Sequence, residues 1–439
     1  MNRRRTAVTL AVIGAAALTL TACTAPAGEI QEGEDTGELT LWLQDGESPE
    51  SIVINELVDQ FEAENEGVTI KLRGIAQADY NQTILTTPND ELGDVLLVDG
   101  PNIAAYAYNG KIAPLGEWLS DDTIDNQSDP VVQQNTYADG LYAISLINSG
   151  MGLWGNKALL DAAGITLPTS PEDAWTAEEF SEVLATLAAQ DPDGKPFGIA
   201  ENYGLTSEYG IYGFAPVIWS AGSPIIKDGK AEGALDSDAA VDAMTTFASW
   251  RQYVDPDTDG QAFHSGRVAL QWMGHWNYVA YSEALGENLQ VGPLPDFGDG
   301  AKTGTGSIAW AMGSGTKNAK LAAKFLDFMA SDASVTAYAD ASGAPPATKT
   351  VAATSERYGP GGPLEMLGQQ LLDSCPTEND LAPDCVGVVR PVTPGYPTVT
   401  LEFGKALAAI WAGDDVKESL GSAARAIDRD AEDNNNYED

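Results

Sequence analysis

The chain has 439 residues, with 65 acidic against 23 basic side chains, a formal net charge of −42 and 43% hydrophobic residues. That length buries more than one core and should divide into domains, and the hydrophobic share fits a folded chain rather than a disordered one. The acidity argues against a nucleic-acid partner, which needs a cationic footprint, and the presence of only two histidines excludes a multi-histidine metal site.

Residues 1–22 start with Arg3, Arg4 and Arg5, run apolar from Ala7 to Leu20 and reach Leu20-Thr21-Ala22-Cys23. A basic start, a short apolar stretch and small residues at its end make a secretory signal, too short to suit a spanning helix. A cysteine in that place resembles the lipobox of bacterial lipoproteins. The resemblance implies a lipid thioether on Cys23, cleavage before it, and a body held at the membrane outside the cytoplasm. The competing reading is an ordinary secretory signal with an incidental cysteine. Without the three arginines the mature chain stands near −45, which favours solubility and disfavours anionic ligands. No other apolar segment is long enough to span a bilayer, so nothing suggests a permease or channel.

Residues 23–38 are rich in Ala, Gly, Pro, Thr, Glu and Asp and read as a flexible acidic linker. Leu39, Leu41 and Leu43 then alternate with Thr40 and Trp42, a strand signature. Ser48-Pro49 suits a helix start, and Ile54, Leu57, Val58 and Phe61 share one helical face. Val68, Ile70 and Leu72 alternate as a second strand. The unbroken run Val95-Leu96-Leu97-Val98 predicts a strand buried on both faces, as in a parallel sheet. Strand, helix, strand, buried strand is α/β organisation. The middle region repeats it, with helices expected at 156–163, 177–189 and 237–253 and a strand beginning at Val268. Helices at 320–330 and 401–411 follow, and the acidic end after Asp428 is expected to fray.

With Cys23 lipidated, Cys375 and Cys385 remain, and an exported pair is expected to form a disulfide. A redox or metal role lacks the CxxC spacing. No GxSxG elbow surrounds a serine, and Gly304-Thr305-Gly306 and Gly313-Ser314-Gly315 are not nucleotide-binding loops. Asp255-Pro256-Asp257-Thr258-Asp259-Gly260 opens like a calcium loop but meets Gly266 where glutamate is required; it reads as a turn, with a divalent ion left as the minor alternative. No cofactor is expected.

Several segments taken in order resemble the extracytoplasmic solute-binding proteins of ABC importers, in particular carbohydrate binders of the maltose-binding-protein type. They are Asp94-Val95-Leu96-Leu97-Val98-Asp99 with Asn109-Gly110-Lys111-Ile112-Ala113-Pro114-Leu115; Gly140-Leu141-Tyr142-Ala143-Ile144 leading to Trp154-Gly155-Asn156-Lys157; Gly266-Arg267-Val268-Ala269-Leu270 running to Gly274-His275-Trp276; and Arg390-Pro391-Val392-Thr393-Pro394-Gly395-Tyr396-Pro397. Their order spans nearly the whole chain after Leu39. The resemblance implies an α/β, two-lobe periplasmic-binding-protein-like fold, with chain crossings near Met151, Gly304 and Ala344-Pro345-Pro346. One lobe would then comprise 39–150 and 305–343, the other 151–304 and 344–430, with 431–439 a frayed tail. It further implies an interlobe ligand cleft that closes by hinge motion, no enzymatic activity, a monomer, and an ABC permease as partner.

A sugar offers apolar C–H faces to flat aromatic side chains and a hydroxyl rim to Asp, Asn, Gln or Glu. The resemblance places Trp276 at the family's stacking position, with Trp272 nearby, Tyr212 where relatives carry an aromatic, Tyr396 in a proline-fixed loop near a position where they carry another, and Trp310 after the second crossing. Open α/β sheets bind ligands at strand carboxyl ends, which selects Gln44, Asp45, Glu47, Gln77, Asp99 and Asn102, with Asn148 and Ser149 before the first crossing. Maltose-binding members carry an acidic residue there and this chain does not, which argues against maltodextrin. For each aromatic, core packing competes with ligand contact; for each polar loop residue, capping or turn formation competes. The ligand expected is a neutral carbohydrate, an oligosaccharide. A secreted glycoside hydrolase would use similar residues, and a polyol or peptide binder is the third reading, although the Asp and Arg pair that a peptide's termini require is not identifiable.

Overall fold

A computed structural model describes residues 30–438 apart from 46–48, 258 and 307. Residues 1–29 lie outside it, and with them Cys23 and the first seven residues of the linker; so does Glu47, while the rest of the linker is not free, since Gln31 N–H donates to Thr316 O at 3.0 Å and Gly37 already opens a strand.

The strands Gly37–Gln44, Val68–Ile75 and Val95–Asp99 run parallel, and Ile308–Gly313 joins Val95–Asp99 antiparallel. Short strands Ile112–Ala113 and Ala143–Ile144 pair with the far side of Ile308–Gly313. The alternation around Trp42 works as a two-sided strand should: Leu39, Leu41 and Leu43 enter one core, and Trp42 enters the core on the opposite face. Val95–Asp99 is buried on both faces as expected. Its sheet is mixed rather than purely parallel, because the chain returns from far along the sequence to pair beside it. Helices Pro49–Glu64, Ala319–Met329 and Asp332–Ser342 cover one face, with Phe61 packed 5.2 Å from both Phe325 and Phe328.

A second sheet has the order Leu289–Gly292, Met151–Asn156, Leu270–Gly274, Phe197–Gly198, with the first two junctions antiparallel and the last parallel. Around it lies the larger core, built on Trp154, Phe180, Phe214, Trp219, Phe247, Trp250 and Trp272. Helix Ala177–Ala188 starts from a capping box, Thr176 with Glu179, as its first-turn acids and apolar spacing predict.

Three chain segments lie side by side between the sheets. Asn148 N–H donates to Pro345 O at 2.7 Å and Ala347 N–H to Leu146 O at 3.0 Å. Met151 N–H donates to Thr303 Oγ1 at 2.8 Å. Core membership changes from Ile147 to Met151, and from Leu294 to Ile308. The third change falls between Val351 and Tyr358, because helix Lys349–Thr354 still turns Val351 into the first core.

Two expectations need correction. Tyr396 is not in a loop: it is the first residue of helix Tyr396–Ala412, which tolerates Pro397 because the first helical turn needs no donor there. The chain does not fray after Asp428: helix Val416–Asp433 continues past it, and Asp428 is itself buried, accepting the N–H of Ala231 at 2.6 Å.

Candidate functional site

The strands Gly37–Gln44, Val68–Ile75 and Val95–Asp99 end on one edge of the first sheet. Asp99, partly exposed, is the last residue of its strand. Facing it from the second lobe are Arg390, directly after strand Gly387–Val389, and Glu208, in the first turn of helix Glu208–Trp219. Burial pushes the Asp99 carboxyl up to about 6, Arg390 pulls it down and Glu208 pushes it up.

Glu208 collects three donors: Arg390 Nη1, the Tyr396 hydroxyl and Thr400 Oγ1, the last at 2.8 Å. Tyr396 can reach it because the helix begins where the Pro391–Gly395 turn ends. Arg390 Cζ lies 4.8 Å from the centre of the Tyr212 ring. The Tyr212 hydroxyl donates to Ser149 Oγ at 2.9 Å, and Ser149 donates to Gly306 O. Asn148 Oδ1 accepts from the N–H of Ser149 at 2.8 Å and of Gly306 at 2.9 Å, so both residues also hold two crossings together. Gly306 has φ +89° and a Cβ there would meet Gln134 Oε1 at 1.9 Å, so glycine is required at this junction.

An aromatic ledge adjoins these groups. Trp276 follows the carboxyl end of strand Leu270–Gly274, half-buried, 5.9 Å from Tyr212 and 6.3 Å from Tyr203. Its Nε1 donates to the Tyr203 hydroxyl at 3.2 Å, and Tyr203 is 40% exposed. Gly274 makes the fold-back fit, since a Cβ there would stand 1.9 Å from the Trp276 ring.

The structure thus gathers Asp99, Asn148, Ser149, Tyr212, Trp276 and Tyr396. Asn102 is buried beneath them at the turn after Asp99. Trp272 and Trp310 are not with them. Trp272 is in the second core, its Nε1 donating to Gly213 O at 2.9 Å, and Trp310 is in the first core against Phe325. Strand alternation turns both rings inward. Gln44 and Asp45 line a separate recess of about 280 Å³ with Glu50, Ile54 and Tyr338. Gln77 opens helix Gln77–Thr86, and its side chain lies outside the described residues. Sequence reasoning missed Glu208, Arg390, Thr400 and Tyr203. Arg390 opens a segment already singled out and Glu208 stands one helical turn before Tyr212, but they are 182 residues apart and become a pair only in space. An acid–arginine pair not identifiable in the sequence is therefore present, as Glu208 and Arg390, with Asp99 near enough to feel the same charge.

The calcium-like stretch has its own cation. Arg267 Nε donates to Asp255 Oδ2 at 3.0 Å, and Nη2 reaches Asp257 Oδ1 at 3.1 Å and Asp259 Oδ1 at 3.4 Å. The guanidinium stands where an ion would have to bind. The cysteine pair Cys375–Cys385 is a disulfide.

Residues 56–358 match the family model of bacterial extracellular solute-binding proteins. The chain is 26% identical to the maltodextrin-binding protein MdxE of Bacillus subtilis over 309 residues, covering 65% of this chain and 68% of that one. It is 25% identical to a probable sugar-binding periplasmic protein of Brucella suis, over 65% of this chain and 66% of the other. Among solved structures, the cyclic alpha-maltosyl-1,6-maltose binding protein of Arthrobacter globiformis superposes with a TM-score of 0.72 at 20% identity, over 90% of this chain and 98% of that one. The GacH receptor of Streptomyces glaucescens, solved unliganded and with acarbose, gives 0.72 at 20% identity, over 90% and 99%. These structures share the two-lobe fold. The matched region covers more than half of the sequence, the whole second sheet and the first sheet apart from strand Gly37–Gln44: the chain belongs to the bacterial extracellular solute-binding proteins, which bind rather than transform their solutes.

Proposed function

We propose that this protein captures a neutral carbohydrate, of oligosaccharide size, between its lobes and delivers it to an ABC permease. The observation that carries the reading is the ledge of Tyr203, Tyr212 and Trp276 beside Asp99, Asn148 and Arg390. Flat rings suit the C–H faces of a sugar, and the polar groups suit its hydroxyl rim. Relatives named for maltodextrin or sugar binding support the same class. The segments 39–150 with 305–343 act as one lobe and 151–304 with 344–430 as the other, save that helix Lys349–Thr354 packs Val351 on the first, and the side-by-side crossings act as the hinge. A monomer anchored by lipid on Cys23 keeps the captured sugar beside the membrane.

Calorimetric titration with maltose, maltotetraose, acarbose, tagatose, sorbitol and dialanine tests the ligand class. Heat is expected with at least one sugar. Trp276→Ala should then weaken that sugar roughly tenfold or more, the scale of a lost stacking contact plus buried area. Heat from dialanine or sorbitol alone sinks the carbohydrate reading. The mass of the mature amino terminus reads the lipid directly; an unmodified Cys23 would refute the anchor.

A further inference from the structure

The segment before the first strand is fastened to the first lobe by its backbone. Gln31 N–H donates to Thr316 O at 3.0 Å; in return Gln31 O accepts from Ala319 N–H at 3.1 Å and Glu32 O from Lys320 N–H at 2.9 Å. Ala319 and Lys320 open helix Ala319–Met329, and Asn318 before them supplies no side-chain cap. The first N–H groups of a helix have no partner inside it, so two carbonyls from the far end of the sequence serve as their acceptors. Glu32 also reaches Lys320 Nζ at 2.7 Å, and Ile30 packs on the first core. Gly33 lets the chain take this path: its φ is +67°, and a Cβ there would stand 2.6 Å from Lys317 O. Asn318 Nδ2 donates to Glu38 O at 3.2 Å, where the strand has begun.

Resting on the lipid anchor at Cys23, we propose that residues 30–33 are a clip that shortens the tether between lipid and body and holds this edge of the first lobe close to the lipid surface. The clip leaves residues 23–29 as the tether, and seven residues span at most about 25 Å however they are arranged. Strand Gly37–Gln44 fixes the chain from Gly37 onward, so without the clip the tether would be residues 23–36 and would span up to about 50 Å. Glu32, Glu34 and Asp35 are exposed on the segment, so an anionic lipid surface repels it and the tether, rather than adhesion, sets the distance. Effective concentration at a partner in the same membrane falls roughly as the −3/2 power of tether length, so halving the length concentrates the receptor at its permease roughly threefold.

The test places the lipidated full chain in phosphatidylcholine vesicles that carry an acceptor dye on the headgroups. The donor dye sits on Lys324→Cys, an exposed position in the clipped helix. Gly33→Val breaks the clip. Inserting seven Gly and Ser residues between Glu29 and Ile30 keeps the clip and lengthens the tether. The root-mean-square reach of the tether should grow from about 14 Å to about 21 Å in both variants, so energy transfer should fall in both to the same lower level. The amides of Gln31, Ala319 and Lys320 should exchange about tenfold faster in Gly33→Val and at the wild-type rate in the insertion. Transfer unchanged in Gly33→Val, or unchanged exchange at the three amides, overturns the clip and leaves the anchor standing. A chain recovered without lipid on Cys23, read by mass, overturns the anchor and the tether with it. Should Gly33→Val melt early, wild type decides: those amides exchanging as fast as in an unfolded peptide refute the clip.

Discussion

Glu378 sits inside the Cys375–Cys385 loop, 6% exposed, and accepts hydrogen bonds from Trp219 Nε1 at 3.3 Å and from the N–H groups of Ile225 and Ile226 at 3.1 and 3.3 Å. Burial pushes its carboxyl from 4.5 up to about 7, and the three donors only partly pull it back. Between those values the unfolded chain has lost the proton and the folded chain keeps it. The folded state therefore binds more protons, and stability falls as pH rises from 4.5 to 7, by up to about 3 kcal/mol for this one group. Glu378→Gln should remove that part of the pH dependence. The melting temperature of the variant should drop less than that of wild type between pH 5 and pH 8, and parallel curves would show that burial is not what raises this carboxyl. At the same scale, Trp276 was reached through the resemblance, which places it at the family's stacking position, and the structure sets it beside Tyr203 and Tyr212. Trp272 and Trp310 were not separable from it, since a ring's direction depends on which face of the strand meets a core. Glu208 and Arg390 carried no sign of their pairing.

The loop that carries Glu378 also holds the strand that ends beside Arg390. Cys375 N–H donates to Gly387 O at 2.7 Å, Val386 N–H to Asp373 O at 2.6 Å, and Lys302 Nζ to Ala382 O at 3.1 Å. Strand Gly387–Val389 pairs parallel with Thr303–Thr305, one of the crossings. Opening the disulfide should therefore act at two places. Stability should fall by about 2–3 kcal/mol, the scale of closing a loop of this size. Sugar affinity should fall as well, because Arg390 loses its fixed launching point. Cys375→Ser with Cys385→Ser, compared with wild type by urea unfolding and by calorimetry, checks both; full affinity in the double serine variant would separate the loop from the site. Elements with amphipathic spacing and capping signals, such as Ala177–Ala188, were readable in advance. Helix Glu208–Trp219 was not: it is buried almost all round, so no polar stripe reveals its period, and Pro216 interrupts it.

Across the whole molecule, the last turn of the chain reaches from the second lobe to the first. Tyr437 packs edge-on against Tyr108 at 5.3 Å, and its hydroxyl donates to Asp430 Oδ2 at 2.6 Å. It also leans on Gly395, where a Cβ would stand 3.0 Å from the ring, directly before Tyr396 of the site. This contact is a strap between the two lobes. Deleting residues 435–439 should speed sugar release about two- to tenfold, the worth of one aromatic pair, with association and melting temperature unchanged. Stopped-flow tryptophan fluorescence reads both rates, and an unaltered release rate would dismiss the strap. The sequence alone determined the α/β class, the exported character, the cysteine pair and the family, because these rest on local periodicity, composition and ordered short motifs. Tertiary structure alone decided which aromatics gather beside Asp99, that Arg267 reaches the acids of the calcium-like stretch, and that Asp99, Glu208 and Arg390 meet. The first and last of those outcomes depend on contacts between residues a hundred or more positions apart, or on the direction a side chain takes from its strand, and the Arg267 contact, 8 to 12 positions long, on how the loop folds back; none of these leaves a mark in local pattern.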